Sequence, residues 1–134
     1  IKWESLYQGK NTYKYTHIGE IVESDINVDE TDIKLRIFQM PSSHAKGSLA
    51  LLVNNKYCLL GDALYPAHKG DKTVYNAGIL KQQIDILKKM AAPYVLLSHR
   101  EPFVQKKQAV ISWLEKIYAM REKNEPWIDA GMGE

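Results

Sequence analysis

Met40-Pro41-Ser42-Ser43-His44-Ala45-Lys46-Gly47-Ser48 leads into the apolar run Leu49-Ala50-Leu51-Leu52-Val53. The chain turns at Asn54-Asn55, returns as Tyr57-Cys58-Leu59-Leu60, and continues as Gly61-Asp62-Ala63-Leu64-Tyr65. Two apolar runs joined by Asn-Asn-Lys predict a β-hairpin. A histidine precedes its first strand and an aspartate follows its second. Antiparallel pairing puts those two points at the same end of the pair. Polar, ligand-type residues at one end of a buried sheet are where a binding site is expected. The first run does not alternate, which predicts burial on both of its faces.

Upstream of the hairpin, Ile33, Leu35 and Ile37 alternate with Lys34, Arg36 and Phe38, a half-buried strand by its period of two. Residues Ser24 to Asp32 are acidic and read as a solvated connection. Thr12 to Val22 holds Tyr13, Tyr15, His17, Ile18 and Ile21, a strand by its aromatic and β-branched content. Downstream, Pro66 to Tyr75 reads as a loop from its proline, glycine and charges. Asn76 can cap a helix whose apolar stripe is Leu80, Ile84, Leu87 and Ala91 and which Pro93 ends. Tyr94 to Leu97 is a short apolar strand, and Ser98 to Pro102 the turn after it. A last helix is expected from about Gln105 to Glu122, with Val110, Trp113, Leu114 and Ile117 on one face. The tail from Asn124 carries chain breakers and is expected to lie loosely. This order is mixed α and β (α+β).

A length of 134 residues allows one domain at most. With 45% hydrophobic and 25% charged residues, the chain can bury a core. A net charge of +2 gives no electrostatic case for nucleic acid or an anionic membrane, and neither is an expected partner. No apolar run approaches the ~20 residues of a membrane span. No signal peptide is visible. The single cysteine, Cys58, cannot form an internal disulfide, which suits a reducing, cytoplasmic setting. In a buried strand it reads as an inert apolar group.

His44, Asp62 and His99 share one feature: each stands just beyond a predicted strand. Two imidazoles and a carboxylate suit Zn²⁺, Fe or Mn. A lone histidine in a turn is more often a surface residue, and Gly-Asp after a strand is a common turn, so spacing alone leaves the metal role open. His68 and Lys69 read as part of a mobile charged loop, His17 as structural, and Trp113 as core. No serine has the glycine flanks of a nucleophile elbow, and no phosphate-cradling Gly-rich loop is present.

Three stretches together resemble the second half of the metallo-β-lactamase fold superfamily: Pro41 to Ser48, Leu60-Gly61-Asp62-Ala63-Leu64, and Val95 to His99. That family has a Thr-Pro-Gly-His-Thr-Pro-Gly-Ser type motif before a hairpin, a Gly-Asp motif after it, and a strand ending in a His-Gly type turn beyond a helix. Here Pro41, His44, Gly47 and Ser48 match the first motif, Gly61 and Asp62 the second, and His99 the third. The resemblance covers about Ile18 to Ile117. Ser43 and Lys46 stand where the family often has Gly and Pro, and Arg100 where it often has Gly. The family's His-x-His-x-Asp-His motif appears nowhere in these residues, so residues 1–134 resemble a C-terminal half, with the N-terminal half absent.

The resemblance implies the second half of an αββα sandwich, a mixed sheet with helices on its outer face. It implies two divalent metal ions, Zn²⁺ with Fe or Mn as alternatives. His44 would complete the site of the first ion, Asp62 would bridge both, and His99 would belong to the second. Such ions bring a water to its reactive form near neutral pH, here for attack on an ester, thioester, lactone or similar bond. The proton-handling aspartate would lie in the missing half, leaving the fragment inactive alone. Tyr65 and Arg100 would face a small-molecule substrate. The alternative is a module that keeps the fold, has lost the site and acts by binding a partner. One face of the sheet would stay open, for the N-terminal half or for a second copy of the chain.

Overall fold

The computed structural model describes residues 24–131. The strand expected over Thr12 to Val22, with His17, lies outside them. In chain order the described residues form β1 (Ile26–Asp29), β2 (Lys34–Gln39), β3 (Leu49–Val53), β4 (Tyr57–Gly61), β5 (Ala67–Lys69) and β6 (Lys72–Asn76). Helix α1 (Ala77–Lys89), β7 (Tyr94–Leu97), β8 (Val104–Lys106), helix α2 (Lys107–Tyr118) and β9 (Trp127–Gly131) follow. The fold is mixed α/β, as its alternation of patterns predicts. No helix among the described residues is long and apolar enough to cross a membrane.

The deciding hairpin is present as β3 and β4. Asn54 and Asn55 both sit at φ 51°. A two-residue hairpin turn needs that left-handed pair, and asparagine tolerates it. The Asn54 side chain also accepts the Lys34 N–H at 2.7 Å, which fastens the turn to β2.

The large sheet runs β1-β2-β3-β4-β7-β8. Its pairs are antiparallel except β4 with β7, which are parallel. A parallel return needs a long crossover, and α1 lies within it. Asn76 caps α1 as predicted, accepting the Ile79 N–H at 2.9 Å. One face of this sheet (Phe38, Ala50, Leu52, Cys58, Leu60, Val95, Leu97) joins Leu80, Ile84 and Leu87 of α1 and Val110, Ile111, Leu114 and Ile117 of α2 in a single core.

The other face is different. By register, Leu35, Leu51, Leu59, Leu96 and their neighbours line it from β2 across to β7. Leu49 and Leu59 are exposed there, and Leu51 and Val53 only half-buried. Burial of Leu49 to Val53 on both faces is therefore corrected: Ala50 and Leu52 are buried under the helices, and the alternate residues look outward. Two helices on one side cover one face of a sheet and leave the other apolar.

Four further expectations are corrected. The acidic segment contains β1, because an edge strand needs only backbone partners on one side and leaves its side chains in solvent. Pro66 to Tyr75 is a hairpin, β5 with β6. Gly70 at φ 64° makes its turn, and its surface charges hide the pairing from a composition reading. The tail contains β9, which pairs with β6 in a second sheet, ordered β5-β6-β9, and buries Ile128. The last helix starts at Lys107, because Val104–Lys106 pairs with β7 as an edge strand.

Candidate metal centre

His44, Asp62 and His99 come together at one end of the large sheet. His44 lies on the loop from β2 to β3, Asp62 on the turn after β4, and His99 on the turn after β7. Because β4 and β7 are parallel neighbours, their following turns emerge side by side. The Ser98 N–H donates to the Gly61 carbonyl at 3.0 Å. The Tyr65 hydroxyl donates to the Ser98 carbonyl. The Asp62 turn and the His99 turn are thus pinned to each other twice.

The Asp62 turn is also anchored from below. Ala63 and Leu64 are buried in the core. Gly61 at φ 54° makes the break from the strand at a bulge against β7, a conformation that suits glycine. The Leu64 carbonyl accepts the Tyr75 hydroxyl at 2.9 Å. Burial raises the Tyr75 phenol well above its ordinary value, so it stays a donor.

The carboxylate of Asp62 divides between the two histidines. Its Oδ2 lies 3.7 Å from His44 Nε2, and its Oδ1 lies 3.8 Å from His99 Nε2. Neither distance is a hydrogen bond. Asp62 Oδ1 is shielded from solvent and has no hydrogen-bond partner among the described residues. His44 Nδ1 lies 3.0 Å from the Pro66 carbonyl oxygen. A carbonyl only accepts, so Nδ1 carries a hydrogen and Nε2 is the ring nitrogen that faces Asp62. A backbone carbonyl behind a histidine is the usual way a metal ligand is oriented.

These residues fit part of a metal centre. The donors are an oriented imidazole, a second imidazole and a carboxylate whose oxygens face different partners. That pattern suits a carboxylate shared between two cations. It does not make a complete site: among the described residues no group of three or more His, Cys, Asp or Glu is arranged to hold one ion. His99 is 82% exposed and sits at φ 60°, a left-handed position for a residue other than glycine.

Tyr65 and Arg100, expected near a substrate, are engaged in the fold. Burial first, and then the Asp62 carboxylate, raise the Tyr65 phenol, against the pull of Arg100. Its proton is held for Ser98. The Arg100 guanidinium stacks over Trp113 at 4.4 Å. His68 lies exposed on β5, and Lys69 stacks over Trp127 at 3.8 Å.

Two residues of the site region escape the sequence reading, Ser42 and Gln83. The Ser42 hydroxyl donates to the Ala63 carbonyl at 2.7 Å. The Gln83 amide donates to the carbonyls of Pro41 and Ala63, at 2.7 and 2.8 Å. A signal existed for Gln83. It lies three residues after Leu80 and four before Leu87, inside the apolar stripe rather than beside it.

Compared with protein-family models, curated proteins and solved structures, the chain finds no match.

Proposed function

We propose that this chain supplies part of a dinuclear metal-hydrolase site of the metallo-β-lactamase type. The single observation that carries the reading is the Asp62 carboxylate, held between two imidazole Nε2 atoms with no proton-sharing contact to either. Two metal-ligating groups face each other across 3.7 Å, a gap that a cation would close. His44 and Asp62 would hold one ion and Asp62 and His99 the other, Zn²⁺ or else Fe or Mn, with the remaining ligands from the expected N-terminal half. When bound, such ions supply an activated water and polarise the bond to be cleaved. The chain's own residues do the orienting: Pro66 aims His44, and Tyr65 and Ser98 hold the His99 turn beside Asp62. The substrate class is a small ester, thioester, lactone or similar compound. The unpaired, buried Cys58 supports a cytoplasmic setting.

The test is equilibrium dialysis of the chain against Zn²⁺. Uptake that is lost in Asp62→Asn supports the reading, and uptake that is unchanged in Asp62→Asn overturns it. The open sheet face favours a second reading, a fold-retaining module that acts through a bound partner. That reading predicts partner binding with no metal uptake.

A further inference from the structure

Gln83 occupies a core position of α1 and is fully buried. Both donors of its amide are directed at loops, one to Pro41 and one to Ala63. Pro41 lies three residues before His44, and Ala63 directly follows Asp62. The Ala63 carbonyl accepts a second bond from Ser42, whose oxygen in turn accepts the N–H of His44 at 3.1 Å and of Ala45 at 3.3 Å. A continuous chain of hydrogen bonds therefore runs from α1 through the Asp62 turn to the backbone of His44. Gln83 Oε1 has no hydrogen-bond partner among the described residues. An unpaired buried oxygen is unfavourable, and a leucine would complete the stripe without it. Core packing alone does not call for glutamine here; the two loops do.

We propose that Gln83 is a positioning residue of the candidate centre. By holding both loops against α1, it fixes the approach of His44 to Asp62. The inference rests on the metal reading for its consequence, but the clamp itself can be measured without metal.

Gln83→Met removes both donors and keeps an unbranched side chain of similar length. Two measurements follow, residue-resolved hydrogen exchange on the metal-free chain and Co²⁺ titration read by visible absorption. In the variant, the amides of His44, Ala45, Ala63 and Tyr65 are expected to exchange roughly tenfold faster or more, with β3, β4 and β7 unchanged. The Co²⁺ dissociation constant is expected to rise about 10-fold to 100-fold, with an altered ligand-field spectrum. Unchanged loop exchange overturns the proposal. So does a uniform loss of protection across the sheet with Co²⁺ affinity and spectrum intact, the mark of an ordinary core residue. If Gln83→Met does not fold, Ser42→Ala tests the same clamp at a half-buried site. Faster exchange at His44 and Ala45 supports it and no change overturns it. Co²⁺ uptake that is unchanged in Asp62→Asn fails the metal reading, while the exchange measurement still decides the clamp.

Discussion

His44 turns Nε2 toward Oδ2 of Asp62 at 3.7 Å, with its hydrogen committed on the far side to the Pro66 carbonyl. The two atoms thus face each other beyond hydrogen-bond distance. Removing the charge should relieve the protein and disable the site. Asp62→Asn keeps the shape, and its amide N–H can donate to His44. The metal-free variant is expected to be as stable as wild type or more so, by about 0.5–1.5 kcal/mol. A ligand at about 100 times its dissociation constant adds roughly 2.7 kcal/mol to the folded state. Thermal melts with and without Zn²⁺ check both arms. The wild-type midpoint should rise with Zn²⁺, and the variant midpoint should not.

His99 offers an opposite trade. At φ 60° it holds a left-handed backbone that costs a side-chain-bearing residue roughly 1–2 kcal/mol. Its side chain is largely exposed and contributes little packing. His99→Gly should therefore raise the metal-free unfolding free energy by up to about 1 kcal/mol, part of the relief being offset by glycine's freedom in the unfolded chain. Its Zn²⁺ uptake should fall. Denaturant unfolding with parallel dialysis measures the pair, and a variant that is less stable than wild type would contradict the strain assignment.

Much of this was legible in the sequence because the signals are local. Asn54-Asn55 between apolar runs, Asn76 before a stripe, and Pro93 after it each act within a few residues. His44, Asp62 and His99 were legible as strand-end residues. What was not legible depends on partners far along the chain. β9 exists because Trp127 to Gly131 can add to β6, some fifty residues earlier. The Pro66 carbonyl that orients His44 carries no side-chain signature at all. Arg100 belongs to Trp113 because the turn after β7 folds back over α2, a tertiary contact. Gln83 stands inside the apolar stripe of α1, but the carbonyls that its amide meets lie some 20 and 42 residues away along the chain.

Cys58 gives a pH signature. It is buried on β4 under the helices, and burial pushes its thiol from 9.0 up to about 12, against a smaller pull from Arg36. The unfolded chain loses this proton near 9.0 and the folded chain holds it to about 12. The thiol's contribution to stability is therefore complete below pH 9 and is lost progressively between those values. Cys58→Ala should remove that alkaline loss from the pH profile of unfolding. At pH 8 iodoacetamide should leave the native thiol unmodified and label it in urea, because the thiolate is the nucleophile. Rapid labelling of native protein would show that β4 opens.

The open face of the large sheet makes the last prediction. Leu49 is 44% exposed and Leu59 37% exposed, and both lie on a surface that runs over several strands. Soluble monomers rarely leave a large apolar patch in water, and sheet faces of this kind are normally covered at about 10 Å by a second sheet. The isolated 134-residue chain is therefore expected to self-associate through this face. Leu59→Lys puts a charge at its centre without touching the buried side, where Cys58 and Leu60 pack. The substitution should shift the chain toward monomer in sedimentation velocity and change stability by no more than about 0.5 kcal/mol, as surface changes do. It should also leave Zn²⁺ uptake unchanged, because His44, Asp62 and His99 lie at the strand ends and not on the face. A wild-type chain that stays monomeric at high concentration, with a cooperative melt and no dye binding, would mean that this face is already covered by the chain itself.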